Sequence, residues 1–196
     1  MKWMISVNML LAAGSCLAGE WVNLFDGKTL DGWTQRNGTA TYVVDDGAIT
    51  GTTKAGSPNS FLCSNKDYGD FEMLVDWKIK EKGDSGIYLR GTPQVQIWDP
   101  NLRKIGSGGL FNNKKNPANP SVIADRPVGE WNTFRIKMVG EKVWVWLNGV
   151  AVADNVTLEN YWDRNQPIFS TGQIELQNHG NTLYFKNVFL REISRD

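Results

Sequence analysis

Apolar and polar residues alternate along this chain in short runs, and nearly every run is closed by Gly, Asn, Asp or Pro. A period of two over four to nine residues marks strands with one face buried, and little of the chain repeats with the helical period. The pattern predicts strands at 42–44, 48–51, 60–63, 71–79, 85–90, 95–98, 133–139, 142–147, 172–177 and 183–191. Asp46-Gly47, Lys82-Gly83, Gly140-Glu141 and Asn148-Gly149 carry residue types that reverse a strand at low backbone cost, so they are expected to form hairpins. Many short strands at this spacing imply an all-β fold, a two-sheet antiparallel sandwich or jelly roll. No repeat or linker divides residues 19–196, which read as one domain.

Two turn-rich segments, 99–127 and 148–167, interrupt the rhythm. Loops of such length are usually functional. The first holds Gly106-Ser107-Gly108-Gly109 and the polar run Asn112-Asn113-Lys114-Lys115-Asn116-Pro117, suited to the border of a cleft. The glycine run lacks the Lys-Ser/Thr and the βαβ setting of a phosphate cradle. The second holds Glu159-Asn160-Tyr161-Trp162-Asp163-Arg164, which reads equally well as a salt-bridged, packed loop and as a site wall.

At the N-terminus Lys2 precedes the apolar stretch 3–13, broken only by Ser6 and Asn8, and small residues follow to Ala18. This is the pattern of a signal peptide over residues 1–18, and it is too short to span a membrane. Cleavage after Ala18 is the expected route, with lipidation at Cys16 as the alternative; either delivers a periplasmic, secreted or lipid-anchored protein. Cys63 then has no partner, and its apolar setting reads as an inert buried thiol.

Composition narrows the ligand. The 21 basic and 21 acidic residues balance, so no net field draws the chain to nucleic acid or to an anionic membrane. Nine Trp and twenty Gly suit a twisted sheet with ring-shaped stacking surfaces, and sugars are the neutral ligands with flat apolar faces.

Strand alternation assembles two polar stripes. Glu175, Gln177 and His179 share one face, and His179 is the sole histidine. Together they offer a base, a metal-ligand pair or a hydrogen-bonding row. Gln94, Gln96 and Trp98 form the second stripe, with Asp99 at its end, while Val95 and Ile97 mark the core side. Amides beside an indole ring match the rim and the flat face of a pyranose. Gly86, Tyr88 and Arg90 share a face of the preceding strand, where Arg90 suits a developing oxyanion or a structural ion pair. There is no Cys-x-x-Cys zinc pattern and no Gly-x-Ser-x-Gly elbow. Glu72, Asp76, Glu130, Glu159 and Glu175 supply carboxylates for glycoside hydrolysis, but spacing singles out no pair.

The run from Trp21 to Trp33, Trp-Val-Asn-Leu-Phe-Asp-Gly-Lys-Thr-Leu-Asp-Gly-Trp, resembles the opening signature of the 3-keto-disaccharide hydrolase domain family. Similar matches follow in order at 68–72, 84–91, 95–99 and 172–180, so the resemblance covers nearly all of the chain after residue 18. Gln94 departs from the pattern, since many relatives carry Glu there. The resemblance implies a concanavalin A-like jelly roll and an exported bacterial enzyme that cleaves glycosides oxidised at carbon 3. In that chemistry the ketone acidifies the C2 proton, a base removes it, and the C1 substituent is expelled. His179 is the expected base, Glu175 its orienting partner or a ligand for a divalent ion, and Arg90 or that ion the enolate's counter-charge. Gln96, Trp98, Gln177, Tyr88 and Asp99 are the expected sugar contacts. A carbohydrate-binding module without catalysis is the main alternative, and a structural or adhesive role in the envelope the third.

Overall fold

The computed structural model describes residues 19–194. The expected leader, with its alternatives at Ala18 and Cys16, lies outside the described residues. Thirteen strands follow in chain order: β1 (Val22–Asn23), β2 (Trp33–Arg36), β3 (Thr41–Asp45), β4 (Ala48–Thr53), β5 (Ser60–Ser64), β6 (Phe71–Ile79), β7 (Asp84–Leu89), β8 (Thr92–Trp98), β9 (Asn132–Val139), β10 (Lys142–Leu147), β11 (Val150–Thr157), β12 (Glu175–Asn178) and β13 (Asn181–Glu192). They build two antiparallel sheets. The larger runs β11-β10-β9-β6-β13-β4-β3, with β1 also paired to β13, and the smaller runs β2-β5-β12-β7-β8.

The core fills the space between them. Phe71, Met73, Val75 and Trp77 on β6 and Phe134, Ile136 and Met138 on β9 belong to the same buried cluster as Leu62, Ile87, Val95, Ile97 and Leu176 of the smaller sheet. Burial of these side chains at roughly 25 cal/mol per Å² of apolar surface is the main term holding the sandwich together. This is the all-β, two-sheet jelly roll expected from the strand pattern.

Three expectations change. The turn at Lys82-Gly83 makes no hairpin: β6 belongs to the larger sheet and β7 to the smaller, so this turn carries the chain between sheets. By contrast, Asp46 and Gly47, at φ 48° and 69°, close the tight β3–β4 hairpin in the left-handed region favoured by Asp and Gly. Strand β11 occupies much of the segment 148–167; Asn155 sits at φ 52° on it and the β10–β11 register shifts, which hides the alternation. Strand β12 starts at Glu175, and Gly172 forms only an isolated bridge with Tyr68.

Candidate active site

Register across the smaller sheet decides which side chains meet. Gln177 on β12 lies opposite Phe61 on β5 and Gly86 on β7, and Gly86 lies opposite Gln96 on β8. One row along, Glu175 is flanked by Cys63 and Tyr88. One row the other way, Asp84 faces Trp98, with His179 just past the end of β12. The alternate residues, Leu62, Leu176, Ile87 and Val95, point into the core. The two polar stripes therefore lie side by side on the outward face of one sheet.

That face is roofed at one side. Residues 99–131 fold back along β8, where Gly108 N–H donates to Gln96 O (2.8 Å) and Gln96 N–H to Gly109 O (3.0 Å), covering what would be a bare edge. They deliver Arg103, Phe111 and Asn112, while residues 158–174 deliver Tyr161 and Trp162. The result is a cleft of about 470 Å³ that also takes in Asn59, Phe61, Asp84, Tyr88, Gln94, Gln96, Trp98, Gln177 and His179. Glu159 ties the two loops together. Its carboxylate accepts from the backbone N–H groups of Lys114, Lys115 and Asn116 and from Arg164, whose other nitrogen donates to Asn112 O at 2.8 Å. Burial alone would raise this carboxyl, but the N–H groups outweigh it and hold it at about 2. The salt-bridged reading of this loop and the wall reading both hold.

A chain of polar contacts runs along the floor. Gln94 Nε2 donates to Gln96 Oε1; Gln96 Nε2 donates to Asp84 Oδ1 at 2.9 Å and to the carbonyls of Ser85 (2.9 Å) and Ile97 (3.1 Å). The other oxygen of Asp84 faces His179 Nδ1 at 3.5 Å. Gly86 makes room for this: a Cβ there would sit 2.8 Å from Gln94 Cδ. His179 thus lines the cleft with one ring nitrogen turned to Asp84. Gln96 thus lines the cleft with its amide engaged within the protein, where it supports Asp84. Gln177 lines the cleft, its Nε2 3.2 Å from Asn59 Oδ1. Trp98 forms a wall, anchored by its Nε1 to Gly106 O (2.8 Å), with Arg103 over its ring at 5.1 Å.

Three expected roles move. Arg90 is 2% exposed and does not line the cleft. Alternation would have placed it beside Tyr88, but β7 ends at Leu89 after a register shift, and Arg90 takes φ 54°. Its guanidinium turns away to Asp70 Oδ1 (2.9 Å) and to the carbonyls of Gly140 (2.7 Å), Phe169 and Ser170 (both 3.1 Å). It is the structural ion pair. Asp99 is buried at a turn, where its carboxylate accepts from the N–H groups of Lys82 and Asn101 (both 2.8 Å), so it is a turn cap and not a sugar ligand. Glu175 stands four residues from His179, about 13 Å along an extended chain, too far to orient the ring. Asp84 does that instead. It was legible in principle, since it precedes Gly86 and Tyr88 at the same spacing of two.

Glu175 remains a notable group. Burial pushes its carboxyl up to about 7, with Arg36 pulling partly against the rise. Burial also raises the Tyr88 phenol, helped by Glu175 and Tyr161 nearby, and raises the Cys63 thiol to about 12, leaving it inert. The other carboxylates offered by the sequence lie elsewhere. Glu72 pairs with Arg135 and Arg191 on the larger sheet, and Asp76 accepts from Thr133 and Asn187 there. Among the described residues no three His, Cys, Asp or Glu side chains converge as a metal site. Asp84 and His179 alone do not make the donor set of a resident divalent ion, so the residues present do not fit one.

A jelly-roll sandwich with an aromatic-walled polar cleft on its smaller sheet is the class these features define. Solved structures share the fold. A candidate glycosyl hydrolase from Parabacteroides distasonis aligns over 90% of this chain and 94% of its own at TM-score 0.71 and 24% identity. A carbohydrate-binding module from Bacillus subtilis aligns over 80% and 93% at TM-score 0.54 and 18% identity. The chain belongs to the 3-keto-alpha-glucoside-1,2-lyase-like domain family, whose model matches residues 20–191. A 3-keto-disaccharide hydrolase from Bacteroides thetaiotaomicron is 24% identical over 155 residues, 61% of this chain and 52% of that protein. The matched region thus spans about half of that relative's length.

Proposed function

We propose that this chain is an exported carbohydrate-active enzyme that cleaves 3-keto-glycosides by removing the C2 proton. The observation that carries the reading is the polar chain Gln94–Gln96–Asp84–His179, which presents one imidazole to a cleft walled by Trp98, Tyr88, Phe111 and Trp162. Family membership and the name of the Bacteroides relative support the substrate class. The leader-like residues 1–18 support export.

The 3-keto group makes the C2 proton acidic enough for a modest base. His179 Nε2 takes that proton, and the C–H electron pair moves into an enolate whose oxygen bears the charge. Asp84 stabilises the imidazolium and holds its orientation. Arg103, the one guanidinium lining the cleft among the described residues, takes the counter-charge role that the strand pattern suggested for Arg90. As the C3 carbonyl re-forms, a C1=C2 double bond forms, the C1–O bond breaks, and the departing oxygen receives the proton. Water then adds its oxygen at C1 and a proton at C2, so the net change is hydrolysis without redox.

The experiment is turnover of a 3-keto-glucoside by the wild type and by His179→Ala. A base of this kind contributes about 100- to 10,000-fold. The variant is expected to lose that factor with its thermal melt preserved. Undiminished turnover removes His179 from the mechanism, and tight binding of unoxidised glycans with no product from their 3-keto forms would make the domain a binding module.

A further inference from the structure

The floor of the cleft holds two polar atoms for which the protein supplies no partner. Gln94 is 5% exposed and Gln177 3%, both line the cleft, and the Oε1 of each finds no hydrogen-bond partner among the described residues. Buried amide oxygens are nearly always paired, because an oxygen without a donor has given up its hydration for nothing. Two of them in one cleft floor mark a place where the donors arrive with a ligand.

The network fixes which atom of Gln94 is left over. Gln96 turns its Nε2 to three acceptors, Asp84 Oδ1 and the carbonyls of Ser85 and Ile97, so its Oε1 is the atom that faces Gln94. That oxygen only accepts; Gln94 therefore meets it with Nε2, and Oε1 is what remains. Gln177 uses its Nε2 on Asn59 Oδ1 at 3.2 Å, with the same result. Gly86 brings the two oxygens together. It pairs with Gln177 across β7 and β12, and a Cβ built on it would stand 3.1 Å from Gln94 Oε1. The Gln94 head group thus occupies the place of the side chain that Gly86 lacks, one strand from Gln177, and neighbouring strands lie about 5 Å apart. The terminal torsion of a glutamine is broad, so a modest turn offers either oxygen to a donor in the cleft. Gln177 stands two residues before His179, about 7 Å along an extended chain, so one pyranose with its substituents reaches from the pair to the imidazole.

A 3-keto-pyranose carries hydroxyl donors at C2, C4 and C6, whereas its C3 carbonyl and ring oxygen only accept. We propose that Gln94 Oε1 and Gln177 Oε1 accept hydrogen bonds from two of those three hydroxyls. The pair thereby selects the ring and sets its orientation, because a ketone turned to this side of the floor would bring acceptor against acceptor. The proposal rests on the reading of the cleft as a 3-keto-glycoside site and adds to it the two residues that read the ring's hydroxyls.

The experiment is calorimetry with a ring that cannot react: 1,5-anhydroglucitol oxidised at C3, which has no C1 substituent to expel. It is compared with derivatives carrying hydrogen or fluorine in place of one hydroxyl at C2, C4 or C6. Fluorine accepts weakly and does not donate, so an acceptor pair penalises both replacements, whereas a donor pair would spare fluorine. In the wild type, either replacement at two of the three positions is expected to weaken binding about five- to tenfold. Gln177→Met keeps the length and loses the acceptor; it should become indifferent to replacement at one of those positions and stay sensitive at the other, and Gln94→Met should do the reverse. Thermal melts check both folds, and Gln177→Met carries the test alone if Gln94→Met unfolds. Fluorine tolerated at all three positions, variants that discriminate as the wild type does, or a parent ring that does not bind would each overturn the proposal. Turnover of a 3-keto-glucoside is read on the same wild-type protein. Discrimination without turnover sinks the catalytic reading and leaves the pair standing, and turnover without discrimination does the opposite.

Discussion

The two outward faces of the sandwich use the same residue types in opposite ways. On the larger sheet, β9 and β10 alternate strictly between buried positions and half-buried or exposed ones, and three half-buried rings on this face lie against cations: Trp144 under Lys137 at 5.2 Å, Trp146 under Arg135 at 4.6 Å and Trp131 under Lys186 at 4.1 Å. On the smaller sheet, every residue of β8 is buried, including Gln94 and Gln96, and the polar groups bond to one another. The first face is a surface made compatible with water. The second is a surface recessed beneath loops, where Gln94, Gln96 and Asp84 bond to one another while Gln94 Oε1 and Gln177 Oε1 find no hydrogen-bond partner among the described residues. A strand covered on both sides that still carries amides is therefore a better marker of a site than an exposed stripe of aromatics.

Three measurements press on this contrast. Gln96→Leu should have the largest effect, because it leaves Gln94 Nε2 and Asp84 Oδ1 without the amide that joins them. A loss of about 1–3 kcal/mol in denaturant unfolding is expected, with a fall in kcat beyond what KM shows. A variant as stable and active as the wild type would mean that the amide chain is ornamental.

Glu175→Gln should have a smaller effect that depends on pH. Burial lifts this carboxyl to about 7, whereas an unfolded glutamate titrates near about 4.3. Between those values the folded chain binds the proton more tightly, so the stability contributed by Glu175 falls as pH rises through the window. The substitution is expected to raise Tm at pH 8 and to leave it nearly unchanged at pH 4; the same shift at both would refute the buried environment. Least of all should come from Lys137→Ala on the outer face, about 0.5–1 kcal/mol from the lost contact with Trp144, with turnover untouched.

How much of this was readable depended on whether the information was periodic. The alternation in 71–79 and 142–147 marks β6 and β10 to the residue, because one face of each meets the core. In β2 only Trp33 is buried, so no period shows. The stripes of Gln177 with His179 and of Gln94 with Gln96 follow from the same rule, and the structure brings them together. The fate of Arg90 does not follow from it. One positive φ at the end of β7 turns its side chain from the cleft to Asp70, and no residue-type pattern announces that change. Tyr161 and Trp162 are legible only as members of a loop that reads equally as packed or as a site wall, since a loop has no period to place its rings and the anchor at Gly91 is a tertiary contact.

Glu159 sits where 158–174 meets 99–131 and holds both through a single carboxylate, ionised down to about pH 2. The two banks of the cleft are consequently riveted to each other: neither lifts alone, and mild acidification does not loosen the joint. The walls that bring Phe111 and Trp162 to the cleft are thereby set relative to each other before any ligand arrives.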